Sequence, residues 1–181
     1  GLARMYISYH GPYSLAPQRA EPMKFSMMRT LNQIPDGALV GGIVWNYDAH
    51  DVFMFRRLNP VMMVTAFRLG EVVAHASGEI MYLTFESLVW SIGGVIVQAP
   101  TEAQLRAMRS GIDGARLAPA RSKPDQWGEI HCPFSVVLTL DTADPANAAA
   151  ALRDIELRQQ VKPCDRATSP LFAAQNGEPY S

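Results

Sequence analysis

The stretch Arg56-Arg57-Leu58-Asn59-Pro60-Val61-Met62-Met63-Val64-Thr65-Ala66-Phe67-Arg68-Leu69-Gly70-Glu71-Val72 decides how this chain is read. Pro60 has no N–H to give to a ladder, and its ring pushes Asn59 toward extended or turn geometry. Beyond it, Val61, Met63, Thr65 and Phe67 alternate onto one face, with Arg68 on the other face at the end. The expectation is a strand at 52–58, a tight break at Asn59-Pro60 and a second strand at 61–68. The pair would form a hairpin with a basic-acidic tip.

Outward from this stretch, the chain punctuates itself clearly. Residues 4–9 alternate, with Met5, Ile7 and Tyr9 on one face, and predict a first strand. Residues 11–22 hold three prolines and a glycine and predict a loop. A short helix is expected over 24–33. Pro35-Asp36-Gly37 breaks it, and Asp36 then suits the N-cap of an apolar helix running to Trp45. Gly41 and Gly42 would each cost that helix about 1 kcal/mol relative to alanine. Residues 70–79 are a polar connection. The apolar run 80–97 should end as a strand at Val95-Ile96-Val97, its first part being helix or strand.

Thr101-Glu102-Ala103-Gln104 is a capping box, with Leu105 and Met108 inward and Gly111 closing the helix. A proline-rich, basic loop runs to about Gln126. Residues 130–140 read as a strand, with Val136, Leu138 and Leu140 in alternation. Asp144-Pro145 suits the opening of a last helix, whose apolar face is Ala148, Ala151, Leu152 and Ile155. Past Pro163 the tail turns polar, to drape on the surface or dock to a partner.

This order predicts an α+β protein. The expected core is ferredoxin-like, βαββαβ (RRM-like), an antiparallel sheet with helices on one side and a protruding β-hairpin thumb. The expected organisation is a core with its thumb over 1–143 and a C-terminal helix and tail over 144–181.

Composition bounds the function classes. With 181 residues, 48% hydrophobic and 18% charged, the chain can bury a substantial core. No segment has the apolar length of a membrane span, and no secretory leader is visible, so a cytoplasmic protein is expected. Cys132 and Cys164 form no Cys-x-x-Cys pair and read as reduced thiols, so no structural metal is expected. There is no phosphate loop and no Gly-x-Ser-x-Gly elbow, and no cofactor is expected. The formal net charge is -1, unhelpful to a nucleic-acid binder unless the cations are local. They are clustered: Arg56, Arg57 and Arg68 surround the Asn-Pro break, and Arg106, Arg109, Arg116, Arg121 and Lys123 form a later run. His10, His50, His75 and His131 are scattered, and their spacing requires no site.

The opening stretch resembles the "L-N-P-I-x-F-x-x-x-R-R-N-E-V" segment of the Cas-five family. These CRISPR-associated subunits hold the five-prime handle of a guide RNA. Gly11-Pro12-Tyr13-Ser14 is similar to that family's "G-P-Y". Residues 34–45 look like its "T-P-S-A-x-x-G-(apolar)-W" segment. Residues 82–92 look like "x-x-T-L-R-D-V-A-Y-x-I" of the type I-C branch. The pieces come in the family's order and span the first half of the chain.

The resemblance implies a guide-RNA-binding subunit of a multi-subunit effector complex. It would dock on a backbone subunit and a large subunit and meet target DNA through guide pairing. Carried over by residue, Arg57, Asn59, Arg68 and Glu71 fall on matching positions. Arg68 is the foremost phosphate contact, because a guanidinium matches phosphate in two-pronged geometry. Tyr13 would stack on a handle base, and Arg19 on the same loop completes the candidate set.

The type I-C branch also cleaves the guide precursor, using a tyrosine before "T-P-S" and a lysine-histidine pair after the thumb. Here Met27, Met28 and Arg29 precede Ile34-Pro35, and His75 has no adjacent lysine. A non-cleaving subunit is therefore favoured. The alternatives are a metal-independent endoribonuclease using His75 or His10, and an α+β binding domain unrelated to CRISPR.

Overall fold

In a computed structural model, the structure describes residues 24–65, 72, 82–118 and 136–180. The expected strand at 4–9 and the loop at 11–22 lie outside them. The α+β class holds: among the described residues there are four helices and two antiparallel sheets. Helix α1 spans Phe25–Asn32. Strands β1 (Ala38–Val40) and β2 (Ile43–Trp45) pair as a hairpin. Helix α2 spans His50–Thr65. Strands β3 (Leu88–Ile92), β4 (Val95–Val97), β5 (Gly114–Leu117) and β6 (Val136–Thr139) make one antiparallel sheet in the order β4-β3-β5-β6. Helix α3 is Glu102–Arg106 and helix α4 is Ala148–Gln159.

Two expected elements take a different form. Residues 52–65 are not two strands around a break, so no thumb starts at Asn59-Pro60: they belong to the continuous helix α2, with Pro60 in its interior. The buried set Phe53, Met54, Pro60, Val61 and Thr65 follows helical spacing. In so apolar a run Val61, Met63 and Thr65 also satisfy alternation, and a proline argues for a break. Pro60 does cost the helix one i→i−4 hydrogen bond. Nearby side chains hold their own turns: the Asn59 amide donates to the Phe55 carbonyl at 2.7 Å, and the Thr65 hydroxyl to the Val61 carbonyl at 2.7 Å.

The second correction is the apolar helix expected over 36–45. It is the β1–β2 hairpin, in register Val40↔Ile43. Its turn is Gly41-Gly42, at φ 56° and 83°. Two positive φ angles in succession match the right-handed twist of the paired strands. Gly93-Gly94, at φ 59° and 81°, does the same for β3–β4. Asp36 accepts from the Tyr47 backbone N–H at 2.8 Å instead of capping a helix.

Across the larger sheet, Trp90 lies beside Ala115, and Ala115 beside Leu138. These three are buried in one core with Leu152 and Ile155 of α4. The alternate row, Val89, Arg116 and Val137, faces the other way, and Val137 is 70% exposed. Helix α2 packs along α4. There the Phe53 ring lies between the guanidinium groups of Arg57 and Arg158, at 4.3 and 4.2 Å.

The helix caps divide. The box at Thr101 and Gln104 is present as expected. The last helix begins later than expected, because Asn147, not Asp144, accepts from the Ala150 N–H and caps α4. The polar tail is built into the core: Leu171 and Phe172 are fully buried. Arg166, on the same tail, pairs with Glu156 in the interior.

Candidate nucleic-acid interface

Helices α1, α2 and α4 meet around a cleft of about 200 Å³. Its walls carry Asn32 at the end of α1, Arg56 and Arg57 on α2, and Arg153 and Asp154 on α4. Asp144 and Asn147 from the approach to α4 close one side. Three arginines therefore face two aspartates. Water occupies about 30 Å³ per molecule in the liquid, so the cleft has room for a small polyatomic ion.

Each charge has a distinct setting. Arg57 donates to Asp154 at 2.8 Å, which neutralises both. Asp144 accepts from Arg29 at 3.3 Å and from the Ala146 N–H at 3.0 Å. The Arg29 guanidinium and that backbone N–H hold the Asp144 carboxyl below its ordinary range. Arg56 donates to the Asn32 carbonyl at 2.8 Å and lies 3.7 Å above the Tyr47 ring. Burial lowers its pKa, since a desolvated cation is disfavoured. Three nitrogens in the cleft walls are buried without a hydrogen-bond partner: Asn32 Nδ2, Arg56 Nε and Arg153 Nε.

Of the residues expected to bind RNA, Arg57 and Asn59 lie among the described residues, both on α2. Arg57 reaches the cleft wall. Asn59 sits on the same helix, with its amide spent on the Phe55 carbonyl. Tyr13, Arg19, Arg68 and Glu71 lie outside the described residues, as do His10, His75, His131 and Cys132. His50 starts α2 and pairs its Nε2 with the Ala173 carbonyl at 2.6 Å. Of the later basic run, Arg121 and Lys123 lie outside the described residues. Arg106 pairs with Glu102 and Arg109 with Asp113, while Arg116 stands exposed on the open sheet face. Trp90 and Trp45 are buried, as core residues should be.

Asn32 and Arg153 were missed by sequence reading. Arg153 sits beside Asp154 in a helix read for its apolar face, and Asn32 ends a short helix. They are distant in sequence, and only the packing of α1 and α4 against α2 brings them together. Among the described residues no group of three or more histidine, cysteine, aspartate or glutamate side chains could hold a metal ion. No described helix is long and apolar enough to cross a membrane.

The fold and cleft define an α+β protein with a cationic recess between three helices. No protein-family model matches the chain, nor does any curated protein or solved structure.

Proposed function

We propose that this chain is a cytoplasmic RNA-binding subunit whose ligand is the five-prime handle of a guide RNA, within a multi-subunit CRISPR effector complex. One observation carries the reading. Arg56 and Arg57, adjacent in the stretch that resembles the Cas-five family, both line the cleft with Arg153. Phosphate contacts supply most of the affinity of such proteins, and arginine is the side chain best shaped to make them. The helical conformation of 50–65 replaces the expected hairpin there, and Arg56 and Arg57 both remain at the cleft.

Sequence discrimination of the target would reside in guide pairing, with the protein holding backbone and ends. Partner subunits would need apolar docking surface. Leu39, Val44 and Val137 are 72%, 60% and 70% exposed, which is consistent with that need.

The test is fluorescence anisotropy with a labelled repeat-derived handle RNA, a scrambled RNA and the matching DNA, over a range of salt. The expected result is at least about tenfold preference for the handle, with log K falling linearly against log salt. Equal, weak binding to all three oligonucleotides would remove guide-RNA recognition from this chain.

A further inference from the structure

We propose that the cleft between α1, α2 and α4 seats one phosphate group, bound by the buried amide of Asn32 and the guanidinium groups of Arg56 and Arg153. The identification of that phosphate as one of RNA rests on the function proposed above. The chemistry of the seat does not.

The sign of what is missing carries the inference. The buried side-chain atoms of this cleft that lack a partner are Asn32 Nδ2, Arg56 Nε and Arg153 Nε, and all are N–H donors. Asn32 is only 6% exposed, so bulk water is not its partner. An unpaired buried donor is unfavourable, and three around one recess that also holds guanidinium groups favour an acceptor-rich, negatively charged ligand. A tetrahedral oxyanion is such a ligand, and arginine binds it with paired N–H groups. A protonated amine or a metal ion would leave these donors unmatched and be repelled by the arginines, whereas an oxyanion offers acceptors and opposite charge together.

The two carboxylates of the cleft do not oppose this. Asp154 is held by Arg57 at 2.8 Å, and Asp144 by Arg29 at 3.3 Å. With those pairs closed, Arg56 and Arg153 are the cleft arginines that form no ion pair among the described residues. Arg57 is then a positioning residue: it restrains Asp154 and stacks on Phe53, and it leaves the phosphate to its neighbours.

The experiment uses the full chain with inorganic phosphate and, separately, the labelled handle RNA. Nitrogen-15 NMR follows the Nε–H signals of the arginines and the amide signals of Asn32. Phosphate should shift Arg56, Arg153 and Asn32 in one saturable process. Arg153→Gln should weaken phosphate binding about tenfold or more, and should lower the RNA salt slope by about 0.7, the share of one single-strand phosphate. Asn32→Asp, which keeps the side chain's size and adds a negative charge, should do the same. Thermal melts confirm that each variant is folded. If phosphate moves none of the three signals in a folded protein, the seat is overturned, whether or not RNA binds. If phosphate binds and Arg153→Gln abolishes it while RNA affinity and slope stay unchanged, the seat stands as a site for a free phosphate compound. The RNA assignment then fails at this cleft.

Discussion

Arg166 and Glu156 form a two-pronged ion pair inside the protein, each side chain only 4% exposed. The second prong, Arg166 Nη2 to Glu156 Oε2, is 3.1 Å. The same Glu156 oxygen accepts from Trp90 Nε1 at 3.2 Å, and Arg166 Nη2 also donates to the Phe85 carbonyl at 3.1 Å. One pair thus fastens the C-terminal tail, helix α4 and strand β3 together. Removing one partner strands the other as a buried charge, at about 3–5 kcal/mol. Arg166→Ala and Glu156→Ala should each lower urea-unfolding stability by that much. Arg166→Met with Glu156→Leu should recover most of the loss. A single variant within about 0.5 kcal/mol of the parent, the range of surface substitutions, would contradict this role.

Pro60 distinguishes a helix from a hairpin over 52–65. In a helix interior, proline costs about 3 kcal/mol relative to alanine. Pro60→Ala should raise the melting temperature and deepen the helical circular-dichroism signal, less any loss from the smaller buried side chain. If 52–65 were two strands, that signal would not deepen.

The Gly-Gly turns and Gly114 make a graded series. Gly42→Ala meets open space, yet its φ of 83° is strained for an L side chain. That strain is worth about 1–2 kcal/mol. Gly42→Asn should cost less, because asparagine tolerates this region better. Gly114→Ala should cost more than either, because its Cβ would collide with the Leu138 carbonyl, a backbone group fixed by β5–β6 pairing. Chemical denaturation of the three variants checks the order, and Gly114→Ala as the mildest would contradict the sheet geometry.

Asp113 links pH to stability. Its carboxylate accepts from the backbone N–H of Arg109 at 2.7 Å and of Gly93 at 2.8 Å, and these bonds hold its pKa below the ordinary 3.8. The folded value lies under the unfolded one. The contribution is therefore complete above the unfolded value and is lost as pH falls through the folded one. Asp113→Asn should melt several degrees lower at neutral pH, with the gap closing below about pH 4. A gap that is constant from neutral pH to pH 2 would assign the effect to something other than this carboxylate.

Several features of this chain are local enough to be settled by residues a few positions apart. The Thr101–Gln104 box closes within one helical turn. The apolar face of α4 and the alternation Val136, Leu138, Leu140 need only a period and a uniform environment. For that reason the α+β class was legible without coordinates.

Where a stretch satisfied two periods, long-range packing chose between them. Residues 52–65 could alternate or spiral, and burial against α4 favours the spiral despite Pro60. Residues 38–45 could have spiralled as well, but two glycines at positive φ close a hairpin more readily than they extend a helix. The cleft is the most remote from sequence of all. Its donors, Asn32, Arg56 and Arg153, come from three helices, and no spacing rule reaches across such distances. Hydrophobic burial sets how those helices pack, and the position of each charged side chain follows from it.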